Sequence, residues 1–434
     1  MAKNTDPGLQ RQVVYSVYVR NHTGEGTFRA LLPDLDRIRA LGTDIVWLMP
    51  IHPIGVKGRK GTLGCPYANR DYRSVNPEYG TMEDFRALAE AIRERGMKLM
   101  IDVVYNHTSP DSVLFGQHPE FFYRRPDGRP GNRIGDWTDV IDLDYSVRAL
   151  WDYQIETLCF WAGLVDGFRC DVASFLPAAF WLEAREAVER VHPGFIWLAE
   201  TVHRSFGLQC RREGIRSERD GELFEAFDLE YEYDIREGFD AFLQGRMPLS
   251  HYLDLMNFQE SCYPANYNKL RFLENHDQPR IAALIRPFGG DLVNFTAMLY
   301  FFKGTTLLYA GQEFADEHRP SLFDKDPIDR ATGTDLSALL RRLYEIKRTA
   351  LDPADDFLAR ADDENRIAVL ERFGPGGLKL GVFSLCGRSA AVKLSVPDGD
   401  YENLIDGSRV SVRNGLLRCE GRPIVFTAPG MRPL

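Results

Sequence analysis

The chain reads as an α/β protein: a parallel (β/α)8 TIM barrel with a small lobe inserted after strand three and a C-terminal antiparallel β-sandwich. Three observations predict this. Short runs rich in Val, Ile, Leu and Phe alternate with helical patterns over most of the 434 residues. Between the third run and a helix starting near Val147 lies a Pro-, Gly-, Asp- and Arg-rich stretch, too long to be an ordinary connection. After about Leu351 helical spacing gives way to brief alternating runs.

VVYSVYVR (13–20) is the first predicted strand. Leu31, Leu35, Ile38 and Leu41 have helical spacing that stops at Gly42. DIVWLMPI (44–51) is the second strand. A helix follows from Thr81 to Arg95, with Thr81 and Asp84 spaced as a capping box and Gly96 at the C′ position. KLMIDVVYN, GFRCDVAS, GFIWLAET, LFEAFDLEY (223–231), RFLENHD and TTLLYAGQE supply strands three to eight. Their near-continuous apolar character fits parallel strands covered on both faces. RIAVLERF, KLGVFSL, AAVKLSV and RPIVFTA, separated by GPGG, PDGD, DGS and RNG, read as the sandwich. The expected divisions are 1–106 with 145–352 for the barrel, 107–144 for the lobe and 353–434 for the sandwich.

Chemistry is written at the strand ends. Asp171, Glu200 and Asp277 each close an apolar run, and a fourth run ends in Asn106 and His107. In a parallel barrel the loops at the C-terminal face converge, so these residues become neighbours. Like charges brought together raise one another's pKa, which makes three carboxylates costly unless they act on a substrate. The pattern points to an enzyme of glycosidic bonds. A formal charge of −10 disfavours nucleic acid or an anionic membrane as partner. No run reaches the roughly 18 apolar residues of a membrane span. The polar start MAKNTDPGLQRQ has no secretory h-region, so the expectation is a cytoplasmic protein. The seven cysteines form no CxxC pair and read as reduced thiols.

DVVYNH, GFRCDVAS, WLAET and FLENHD resemble, in order, the four signature regions of the α-amylase superfamily, glycoside hydrolase family 13. The long third loop resembles that family's domain B, and the sandwich its domain C. The resemblance implies Asp171 as nucleophile, Glu200 as general acid and then base, and Asp277 as the residue that grips and distorts the sugar. It further implies that Arg169 orients Asp171, that His107 and His276 bind sugar hydroxyls, and that Tyr67 stacks on the sugar at the cut. A retaining double displacement on α-1,4-glucans such as maltooligosaccharides and dextrins follows, with a 4-α-glucanotransferase or an α-1,6-acting glucosidase using the same residues as alternatives. A silent accessory subunit is the rival from another class; members of that kind have lost catalytic acids, and here all three are present.

Each residue also has a plainer reading. Asp171 with Arg169 could be a buried ion pair, Glu200 and Asp277 helix caps, the histidines core residues, and Tyr67 loop packing. Their joint occurrence in four ordered regions weighs against this. The departures from the family pattern are specific. Ser174 and Phe175 stand where many α-amylases have Lys-His, and Ala68 replaces the Asp with which α-glucosidases clamp a non-reducing end. NHDQPR (275–280) and Val172 instead lean towards α-1,6-acting members. For calcium, Asn106 and Asp142 are the candidate ligands, far short of the six to eight oxygens the ion takes. RNHTGEGTF replaces an acidic calcium loop after strand one. No required cofactor is expected, the partner is a neutral oligosaccharide, and the expected assembly is a monomer.

Overall fold

The computed structural model describes residue 2 and residues 5–135 and 137–429. Eight parallel strands close into a barrel. They begin with β1 (Val13–Val17), β2 (Ile45–Leu48) and β3 (Lys98–Val103). Two short strands of the inserted lobe follow, β4 (His107–Thr108) and β5 (Ile141–Asp142), which pair antiparallel with His107 opposite Asp142. The barrel then continues with β6 (Gly167–Cys170), β7 (Ile196–Ala199), β8 (Leu229–Tyr231), β9 (Lys269–Arg271) and β10 (Thr305–Tyr309). Neighbours follow chain order, and β10 pairs with β1 to close the ring. The C-terminal part holds eight strands: β11 (Asp356–Asp362), β12 (Ile367–Gly374), β13 (Gly377–Ser384), β14 (Ser389–Lys393), β15 (Gly399–Glu402), β16 (Arg409–Arg413), β17 (Leu416–Glu420) and β18 (Ile424–Ala428). They form two four-stranded antiparallel sheets, β11-β12-β13-β18 and β14-β17-β16-β15. Ile367, Val369, Leu380, Val412, Leu417 and Phe426 fill the space between them. The expected barrel with a C-terminal sandwich is the observed architecture.

Four elements differ from expectation, each for a physical reason. The first strand stops at Val17, and Val19–His22 form a helical turn that carries the Arg20 side chain inward to Glu78. The helix over 31–41 is broken at Pro33 into Phe28–Leu31, a 3-10 turn Leu32–Asp34, and Leu35–Ala40, since proline cannot donate within a helix. LFEAFDLEY begins in a helical turn, Asp220–Leu223, and only its end is strand. Short apolar runs do not distinguish a buried helical turn from a strand. The seventh barrel strand is Lys269–Arg271, so Phe272–Asp277 form the loop beyond it. Its two basic residues hid it, because each is buried against an acid: Lys269 lies 3.1 Å from Glu230, and Arg271 3.0 Å from Glu232.

The register sets the site. Parallel pairing puts Asp102 of β3 opposite Arg169 of β6, and Arg169 opposite Leu198 of β7. One residue past each strand, the Asp171 N–H donates to the Val103 carbonyl and the Glu200 N–H to the Cys170 carbonyl, each within 3.0 Å. The ladders thus run on to the acids and hold their backbones in the barrel's frame.

The helix Met82–Glu94 covers the outside between β2 and β3. It buries Phe85, Leu88, Ala89 and Ile92, the i, i+3, i+4, i+7 stripe of an amphipathic helix. The Thr81 hydroxyl accepts from the Asp84 N–H, and Asp84 accepts from the Thr81 N–H at 2.9 Å, completing the capping box. Thr81→Ala is expected to cost about 1 kcal/mol. The urea midpoint should fall with an unchanged m-value while catalytic rate stays as it was; an unmoved midpoint would show that the cap is not limiting.

Candidate active site

Arg169 is the centre of the site. Its side chain is fully buried. Nη1 donates to Asp102 at 2.9 and 3.1 Å and to Asp171 Oδ1 at 2.9 Å. Nη2 lies 2.8 Å from Glu200 Oε1, yet out of line for a hydrogen bond, so that attraction is Coulombic rather than directional. The guanidinium sits among the rings of Trp47, Tyr231 and Tyr67, 5.3, 5.4 and 5.6 Å from their centroids. An always-charged arginine suits such a pocket, because its weakly hydrated, delocalised cation tolerates burial between rings.

One cation therefore faces three buried carboxyls. Burial pushes the Glu200 carboxyl well above the usual range, and the charges of Asp171 and Asp277 add to this; Arg169 and the Val172 N–H, which donates to Glu200 Oε2 at 2.8 Å, only partly oppose it. Asp102 is likewise pushed up, to about 7, by burial first and by Asp171 next. Val172 adopts a left-handed conformation at φ 36°, ψ 46°. A β-branched residue is strained there by about 1–3 kcal/mol. That strain turns its N–H towards Glu200.

Around this core lies a cavity of about 380 Å³ at the C-terminal mouth of the barrel. Asp171, Glu200, Asp277, Tyr67, His107 and His276 line it, while Arg169 sits beneath them. All seven residues singled out in the sequence are thus brought together. His276 is buried, and that burial lowers its pKa to about 4, so the ring is neutral at pH 7. It stacks on Tyr67 with centroids 5.3 Å apart and planes 11° apart. The Tyr67 hydroxyl donates to Asp102 at 3.0 Å and lies 2.7 Å from His276 Nε2. With the phenolic proton given to Asp102, Nε2 carries the ring hydrogen and Nδ1 keeps a lone pair; Nδ1 is buried without a protein partner. His107 takes a hydrogen bond at Nδ1 from the Asn106 amide at 3.1 Å, which leaves the hydrogen on Nε2. Asp277 differs from the other two acids in being open, with its side chain 42% exposed. It is placed to meet a ligand rather than to hold the frame.

Sequence reasoning missed four contributors. Asp102 had a visible signal, an ionisable residue in the middle of an apolar strand. Trp137, whose ring lies 5.3 Å from His107, was hidden in the loop composition. His203 and Tyr233, stacked 4.2 Å apart, follow β7 and β8 and carried no pattern that marked them.

The two calcium candidates are engaged with other protein groups. The Asp142 carboxylate already accepts from the Arg133 N–H at 2.7 Å and faces the Arg133 guanidinium at 3.4 Å. The Asn106 amide is turned to His107. Although Asp142 Oδ1 is buried and unpartnered, the described residues contain no group of three or more metal-ligating side chains suited to an ion. No described helix is long and apolar enough to cross a membrane.

The family model for the α-amylase catalytic domain matches residues 14–128, and that for the bacterial α-amylase C-terminal domain matches 359–426. An α-amylase from Lactobacillus plantarum is 43% identical in sequence, with a TM-score of 0.93 over 97% of this chain and 99% of that one. A noncanonic maltogenic α-amylase from Thermotoga neapolitana is 32% identical, with a TM-score of 0.85 over 97% and 99% of the two chains. The α-amylase MalA of Haloarcula japonica is 27% identical over 328 residues, which cover 71% of this chain and 44% of that protein. Among curated relatives the chain often spans a minor part of the length, 44%, 32% and 31% in three of them. Where the whole chain is matched by a whole solved protein, barrel, lobe and sandwich are shared together, and on that ground the chain belongs to the α-amylase family.

Proposed function

We propose that this chain is a retaining glycoside hydrolase acting on α-1,4-glucans through a covalent glycosyl-enzyme. One observation carries the reading: Asp171 and Glu200 share the Arg169 guanidinium, but only Asp171 is hydrogen-bonded to it, while burial pushes the Glu200 carboxyl well above the usual range. A retaining enzyme needs two carboxyls in different settings, one to act as nucleophile and one to hold its proton near neutral pH.

In the first step an Asp171 carboxylate oxygen bonds to the anomeric carbon. The glycosidic C–O bond breaks, and the leaving oxygen takes the Glu200 proton. In the second step Glu200, now a carboxylate, takes a proton from water as the water oxygen bonds to the same carbon and releases Asp171. Two inversions return the α configuration. Tyr67 offers a face for the sugar ring, and His107 and His276 offer one donor and one acceptor to its hydroxyls. Exposed Asp277 accepts from hydroxyls at the cut. The expected substrate is a neutral oligosaccharide, which suits an acidic protein.

Three outcomes test the proposal. In proton NMR of early hydrolysis of maltoheptaose, the α anomer of the new reducing end should appear first; β first would overturn retention. In time courses on the same sugar, only shorter products should form, whereas early products longer than the substrate would identify a transferase. The third concerns Glu200. Its raised pKa extends the protonated, active form upward in pH, so kcat/KM should be lost as pH rises through that value. Glu200→Gln should lower the rate on unactivated glucans by about 10²–10⁴-fold. It should spare kcat/KM, which the first step sets, for glycosides whose leaving group needs no proton, and flatten their alkaline limb; an unchanged limb would remove Glu200 from the acid role.

A further inference from the structure

The cavity is built differently at its two ends. Beside Glu200 it is lined by Val202, His203 and Phe206, all from the segment after β7. Beside Tyr67 it is bounded by three separate segments that are tied to one another. Lys60, on the loop after β2, reaches Asp139 of the lobe at 3.0 Å, and both line the cavity. Just behind Lys60, the Thr62 N–H and hydroxyl donate to Asp324 at 2.8 and 2.6 Å, and the Leu63 N–H donates to the Phe323 carbonyl at 2.9 Å. Leu322 and Phe323, on the loop after β10, also line the cavity.

This wall is anchored from below. Buried Arg20 donates to the carbonyls of Gly64 and Leu322 at 3.0 and 3.1 Å, joining both loops to one guanidinium. Glu78 holds that guanidinium with two bonds of 2.8 Å. The loops approach so closely that a Cβ on Gly61, at φ +62°, would lie 2.5 Å from the Phe323 Cβ. Only glycine serves there. The cavity volume, about 380 Å³, lies near the lower end of the range for enclosed small-molecule sites rather than that of a long groove.

The direction of a bound glucan follows from the proposed chemistry. The sugar bonded to Asp171 through its anomeric carbon continues, through its other hydroxyls, to the non-reducing end. The Glu200 side holds the leaving portion with the reducing end. Resting on the α-1,4-glucan reading, we infer that the tied wall closes the cleft at the non-reducing end, with the Lys60–Asp139 bridge as its bar, so that short pieces are released from that end. The carboxylate replaced by Ala68 is thus not the only means of meeting a chain end; here the end is met by joined loops.

The test compares initial kcat/KM on maltoheptaose and on the same sugar carrying a 4,6-ketal at its non-reducing end. In the unaltered protein the ketal should cost about ten-fold or more, the scale on which a pocket rejects a group it has no room for. Lys60→Ala opens the bar, and Asp324→Ala, outside the cavity lining, loosens the wall from behind. Each should shrink the penalty to about three-fold or less, which requires only a small part of that steric cost to remain. Equal rates on both sugars in the unaltered protein would overturn the inference while leaving the glucan reading intact. A penalty that both variants preserve would overturn the assignment to this wall. Cleavage of neither sugar would instead sink the glucan reading itself. A variant that fails to fold is recognised by loss of rate on the free sugar, and the other then decides.

Discussion

The molecule is organised around one buried guanidinium and the acids it cannot fully neutralise. Arg169 meets Asp102, Asp171 and Glu200 within 3 Å, inside a ring of Trp47, Tyr67 and Tyr231. In a low-dielectric pocket a single positive charge leaves an excess of negative charge if all three acids ionise. Burial, with the charges of Asp171 and Asp277, pushes the Glu200 carboxyl up, at the one acid whose contact to Arg169 lacks hydrogen-bond alignment. In the proposed mechanism the difference between nucleophile and acid thus arises around one shared cation.

That balance depends on the barrel. Asp102 and Arg169 are lateral neighbours because β3 and β6 pair in that register, and the ladder extends one bond further to fix Asp171 and Glu200. The strained Val172 turn then aims an N–H at Glu200. Every part that must be held to a fraction of an ångström stands on a strand or one residue past it. The parts that line the open cavity, Asp277, Trp137 and the Lys60 loop, stand on connections. A rigid frame with variable loops is the general means by which this architecture acquires specificity.

Much of this was legible in the sequence. Apolar runs located six of the eight barrel strands to within a few residues, and the acids closing them located the site. What was not legible has a common cause. β9 contains Lys269 and Arg271; each is charged, fully buried and satisfied by a partner far away in sequence. A hydrophobicity pattern cannot register a charge whose compensation lies on another strand. The run LFEAFDLEY (223–231) is strand only at Leu229–Tyr231, because a short apolar run does not distinguish strand from buried turn. The lobe's contribution, Trp137 and Asp139, was unreadable because loop conformation follows from tertiary contacts. The signature motifs carry the acids and histidines that line the cavity, whereas the wall formed by Lys60, Asp139 and Phe323 lies outside all of them.

The buried ion pairs have a second effect, on how the chain reaches its native state. Glu230 lies opposite Lys269 in the ladder just as Asp102 lies opposite Arg169. A slip of one residue between parallel strands turns every side chain to the other face. Here such a slip would also strand a cation and an acid apart in the apolar interior, a penalty of about 3–5 kcal/mol for each broken pair. A barrel of alternating valines and leucines would tolerate several near-equivalent registers; this one does not. The charges that leave the catalytic centre short of positive counterparts also act as a proofreading device, penalising misaligned barrels before they can persist.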